Sequence, residues 1–161
     1  MQLTSPAFEE YHPIPQRYTG EGEDLSPELR WSDVPVGTRS FALVCEDPDA
    51  PKVQPNDPPF VHWLIYDLSP NTSALPEGVP KQPHVSSMPI EAEQGTNSFG
   101  KVGYGGPMPP KGHGTHRYHF RLFALDRDLS LKPGATARDL SKAIQGHVLA
   151  EATLIGRYER H

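Results

Sequence analysis

Three separated segments hold the side chains of this sequence that could do chemistry. They are Asp47-Pro48-Asp49-Ala50-Pro51, Val61-His62-Trp63-Leu64, and Gly105-Gly106-Pro107-Met108-Pro109-Pro110-Lys111-Gly112, which runs on to His116-Arg117-Tyr118. Each sets carboxylates or imidazoles beside residues that restrict the backbone. Two prolines hold φ near about −65° on either side of Asp49. Two carboxylates therefore share a rigid turn, one available to a pocket and the other to backbone N–H groups. His62 interrupts an otherwise apolar run, and alone it reads more simply as a core histidine with one satisfied hydrogen bond. His119 and His147 take the same plain reading.

The Gly105–Gly114 loop is not a nucleotide phosphate loop, because Lys111 precedes its glycine and neither a hydroxyl residue nor a helix follows. Successive glycine N–H groups can still cradle an anion, with Gly105, Gly106 and Gly112 as the donors. His113, His116 and His119 fall at spacing three, but the first lies in a glycine-rich loop and the third in a strand. A two-histidine, one-carboxylate metal set from His62, His116 and Asp47 is chemically open but has no support from spacing. The expectation is no metal and no cofactor. No Gly-x-Ser-x-Gly elbow is present, and the lone Cys45 sits in an apolar run and reads as a buried structural thiol.

Strands must position these groups. Ser40–Glu46 is β-favouring and stopped by Asp47-Pro48. Phe60–Leu68 is nearly unbroken apolar sequence, as suits a strand covered on both faces. Arg117–Leu125 alternates, with Tyr118, Phe120, Leu122 and Ala124 on one face. Leu25–Trp31 reads as a short edge segment because of Pro27, and residues 69–115 as a long ordered excursion. One helix follows, capped by Thr136 with Asp139 in its first turn. Leu140, Ile144, Val148 and Ile155 carry it to a stop at Gly156, with close packing at Gly146.

The chain has 161 residues, enough for one domain, residues 1–161. The 19 prolines and 14 glycines mark turns between apolar strands and not disorder. A formal charge of −5 argues against a nucleic-acid partner. No apolar run approaches the roughly 20 residues of a membrane span, and no basic-then-apolar leader opens the chain, so the expected location is cytoplasmic.

Taken together, Asp47–Pro51, His62-Trp63 and Pro109–Gly112 leading to His116–Tyr118 resemble the phosphatidylethanolamine-binding protein family, above all its bacterial and archaeal, Raf kinase inhibitor-like branch. Leu25–Trp31, Val34–Ser40 and Gly103–Gly106 support the resemblance, which runs from about residue 2 to residue 156. It implies a mostly β fold in which a large antiparallel sheet packs with a smaller one in a Greek key. The C-terminal helix would lie on the large sheet. It also implies a ligand pocket for small anions, phosphoryl or carboxylate groups, built from Asp47, Asp49, His62, Gly106, Pro110, His116 and Tyr118. A carboxylate beside an imidazole favours the protonated ring, so His62 or His116 is expected to be a cationic donor, with the Tyr118 hydroxyl beside it. The implied role is binding without catalysis, directed at a kinase or protease partner. The alternatives are a hydrolase or lyase using His62, His116 and Asp47 as acid–base groups, and a metal-dependent enzyme at the same residues. The resemblance also implies a homodimer, with an apolar rim around Trp63 or Phe99.

Overall fold

The computed structural model describes residues 1–87 and 89–161. Its strands are β1 (Gln2–Thr4), β2 (Leu29–Ser32), β3 (Ser40–Asp47), β4 (Phe60–Leu68), β5 (Ala74–Leu75), β6 (His84–Ser87), β7 (Ile90–Gln94), β8 (His116–Leu125) and β9 (Val148–Tyr158), with helix α1 (Ala137–Ile144) between the last two. They form a three-stranded sheet in the order β1-β2-β5 and a six-stranded sheet in the order β6-β7-β4-β3-β8-β9. Every pairing between these strands is antiparallel. The chain passes from β7 over β4 and β3 to reach β8 beside β3, which is the long return of a Greek key.

The large sheet is covered on both faces. On one side Leu3, Trp31 and Leu75 of the small sheet meet Phe41, Trp63, Phe120 and Leu122, with the Trp31 and Phe41 rings 5.5 Å apart. On the other side Leu140 of α1 joins Leu64, Tyr66, Phe123 and Leu125. This double cover explains why β4 reads as continuous apolar sequence. Trp63 is fully buried and donates its indole N–H to Gln94 at 2.7 Å, so it is absent from any surface rim, whereas Phe99 is 45% exposed.

Some of the expected elements differ. Leu29–Ser32 is the middle strand of the small sheet and not an edge, because Pro27 lies ahead of the ladder and costs it no donor. The excursion of residues 69–115 contains β5, β6 and β7. Thr136 and Asp139 form a reciprocal capping box, as expected. The helix nevertheless ends at Ile144 and does not continue to Gly156. Gly146 has φ 81° and open surroundings, so it turns the chain out of the helix and is not packed inside it. His147 follows this turn and bonds Asp126 at 2.9 Å. From Val148 the pattern changes to period two: Ala152, Leu154 and Gly156 are buried while Glu151, Thr153 and Arg157 are exposed.

The N-terminal segment straps the outer edge of β9. The Tyr11 and Ile14 N–H groups donate to the carbonyls of Ile155 and Arg157, and the Ile155 N–H donates to Glu10. Phe8 and Ile14 press onto Gly156, where a Cβ would fall 2.6 Å from Ile14 and 2.7 Å from Phe8. Among the described residues, no helix is long and apolar enough to cross a membrane.

Candidate functional site

Antiparallel pairing of β3 with β8 sets Asp47, the last residue of β3, near His116, the first of β8. Asp47 Oδ2 and His116 Nδ1 are 2.6 Å apart, with the two residues 2% and 1% exposed. A carboxylate oxygen can only accept, so Nδ1 carries the proton. Asp47 Oδ1 accepts the Asp49 N–H at 2.8 Å, so one carboxylate both orients the imidazole and holds the turn. Asp49 faces away. It takes Nε and Nη2 of Arg117 at 2.9 and 2.8 Å and the Arg117 backbone N–H at 2.9 Å. Those hydrogen bonds hold its carboxyl down at about 2.

His62 reaches the site through an irregularity of β4. Cys45 opposes Trp63 and Glu46 opposes Val61, which leaves His62 as the extra residue of a β-bulge. The bulge turns its ring toward Tyr118, with centroids 5.2 Å apart at 77°. His62 Nδ1 donates to the Gly105 carbonyl at 2.6 Å, and the Gly105 N–H donates back to the His62 carbonyl at 2.9 Å. This tie fixes the tautomer: in the neutral ring Nε2 is an acceptor, on a residue that lines the cavity. Burial pushes the ring's pKa down, against the opposing pull of the Gly105 carbonyl and Asp47. Proximity of a carboxylate predicts a cationic His62, but desolvation of a ring 3% exposed prevails.

A cavity of about 230 Å³ opens here, walled by Asp47, His62, Pro110, His116 and Tyr118 together with Pro51, Phe60, Phe99, Met108 and Pro109. Asp49 and Gly106 lie outside this wall. The Gly106 N–H donates to Asp24 at 2.7 Å, and a Cβ at Gly106 would fall 2.4 Å from the Tyr18 carbonyl. The Gly112 N–H donates to the Arg160 carbonyl at 3.3 Å. Thus the glycine N–H groups expected to cradle an anion are bonded to protein, and the loop serves instead to fix His62. The Tyr118 hydroxyl is buried with no partner among the described residues. Burial first, then Asp47, pushes the phenol up, so it stays a protonated donor. Among the described residues the wall contains no Lys or Arg, and no Ser, Thr or Cys.

His113 bonds the second nitrogen of His116, Nδ1 to Nε2, at 2.6 Å. His119 faces the opposite side of β8, so the three histidines of the 113–119 run do not converge. No group of three or more His, Cys, Asp or Glu fit to hold a metal ion occurs among the described residues. The contact of His113 with His116 had a trace in the sequence, a spacing of three across Gly114. Phe60 had none, since it reads simply as the first residue of a strand. A larger cavity of about 650 Å³ lies between α1 and the sheet, but its wall has no histidine and its carboxylate, Glu46, is bonded to Arg121 at 2.9 Å.

The family profile described as phosphatidylethanolamine-binding protein matches residues 4–159. A protein of Aquifex aeolicus named UPF0098 is 47% identical, the match covering 99% of this chain and 89% of that protein. Its counterpart in Methanothermobacter thermautotrophicus is 46% identical, with 99% of each chain covered. Among solved structures, a phosphatidylethanolamine-binding protein homologue of Chlamydia trachomatis superposes with TM-score 0.86 at 42% identity, covering 99% of this chain and 97% of that one. YbcL of Escherichia coli gives TM-score 0.89 at 30% identity, with coverage of 99% and 98%. Fold and sequence thus agree: the chain belongs to the phosphatidylethanolamine-binding protein family.

Proposed function

We propose that this chain binds a small oxyanion, a phosphoryl or carboxylate group, in the cavity between Asp47, His62, Pro110, His116 and Tyr118, and does so without turning it over. The observation that carries this reading is the Tyr118 hydroxyl, a buried donor with no protein partner in the cavity wall. Leaving such a group unpaired costs about 1–3 kcal/mol, which a ligand acceptor would recover. His62 Nε2 beside it is an acceptor, so the pair matches an oxyanion that retains one proton, such as a phosphomonoester monoanion. The wall's lack, among the described residues, of a Ser, Thr or Cys nucleophile favours binding over covalent catalysis. Use of the occupied pocket to modulate a protein partner, a kinase or a protease, is a further part of the proposal that follows from family membership.

The test is an NMR titration of wild type and Tyr118→Phe with inorganic phosphate and O-phosphorylethanolamine, with the ligand followed for breakdown. Saturable shifts around His62, weakened roughly tenfold or more in the variant, are expected with the ligand intact. Equal affinity in the two proteins would remove Tyr118 from the site, and breakdown of the ligand would establish the acid–base alternative.

A further inference from the structure

Both ring nitrogens of His116 are taken by the protein: Nδ1 bonds Asp47 at 2.6 Å and Nε2 bonds His113 Nδ1 at 2.6 Å. With Nδ1 committed to a buried carboxylate, Nε2 is the only atom through which His116 can donate to an oxyanion in the cavity. Two imidazole nitrogens facing each other share one proton, so the contact uses up that donor or turns it into an acceptor. His113 is itself exposed and stands outside the cavity wall.

The segment that carries His113 is a glycine-flanked turn on the surface. Gly112 and Gly114 flank it at φ 73° and 85°, and no described residue lies within 4 Å of where a Cβ would sit on either. Its backbone is held by long bonds, Gly112 N–H to the Arg160 carbonyl at 3.3 Å and His113 N–H to the Pro110 carbonyl at 3.2 Å.

We propose that His113 is a competing residue, a positioning group that occupies His116 Nε2 in the free protein and must release it before His116 can donate to a bound oxyanion. This rests on the anion-binding reading above. Any ligand that engages His116 displaces one internal hydrogen bond, and its affinity is lowered accordingly. A ligand held by Tyr118 and His62 alone leaves the His113–His116 contact in place.

The test measures inorganic phosphate binding at neutral pH by calorimetry to wild type, His113→Ala and His113→Gln, and records ¹⁵N spectra of the histidine rings. His113→Ala is expected to bind about two- to tenfold tighter, the range set by one net hydrogen bond. His113→Gln, which can still reach Nε2, should stay near wild type. In wild type, saturating phosphate should shift the His113 ring nitrogens to the values of a free imidazole while His116 Nδ1 keeps its signal. Unchanged or weaker binding by His113→Ala, with His113 signals unmoved at saturation, overturns the proposal and leaves the anion reading intact. If neither wild type nor His113→Ala binds phosphate, both fall together.

Discussion

Proton inventory at the residue level decides how the pocket responds to pH. His62 gives its Nδ1 proton to Gly105, and burial favours the neutral ring, whose Nε2 is an acceptor. The Tyr118 phenol, pushed up by burial and Asp47, remains a donor. A phosphomonoester, whose second pKa is about 6, fits this pair as the monoanion, its P–OH toward His62 and an unprotonated oxygen toward Tyr118. Above that pKa the dianion must take up a proton on binding, on itself or on His62. Affinity for O-phosphorylethanolamine is therefore expected to fall as pH rises, approaching tenfold per unit above about pH 6.5. Calorimetry between pH 5.5 and 8 measures this, and a flat profile would mean that the ligand enters as the dianion and that His62 accepts nothing from it.

At the level of elements, what was legible in the sequence followed the strength of the local pattern. Ser40–Glu46, Phe60–Leu68 and Arg117–Leu125 stand out because runs of large apolar side chains are covered on one or both faces, and the structure places strands there. The strand Val148–Tyr158 was hidden because its inward positions are Ala152, Leu154 and Gly156, two of them too small to reveal period two. Ile144, Val148 and Ile155 happen to fit a helical spacing as well. The same limit applied at the site. Asp47, His62, Pro110, His116 and Tyr118 were readable by type and family likeness. The bulge that turns His62 into the pocket and the commitment of the Gly106 N–H to Asp24 depend on contacts far along the chain. Gly156 gives a direct check of the strap on β9: Gly156→Val drives a side chain into Phe8 and Ile14 and should cost at least about 1–3 kcal/mol. Urea denaturation should show a lower midpoint at unchanged slope, and an unchanged midpoint would mean that Phe8 and Ile14 move aside freely.

For the whole molecule, the pocket is a meeting of parts that are distant in the chain: a turn after β3, a bulge in β4, a loop before β8, and the first residues of β8 itself. Cys45, buried beneath it with its thiol pushed up by desolvation, is shielded from reagents in the folded state. The strap from the N-terminal segment to β9 carries this long-range character to its limit, since Glu10, Tyr11 and Ile14 bond residues 155 and 157. During synthesis Glu10 leaves the ribosome 145 residues ahead of its partner Ile155. A nascent chain stalled after Leu125 should accordingly remain protease-sensitive, and release of β9 should convert it to a resistant form; early resistance would show that the remaining strands suffice. The strap thus ties folding to the arrival of β9, with much of its contact-order cost deferred until that strand is available and the chain short of it dependent on whatever shelters it until then.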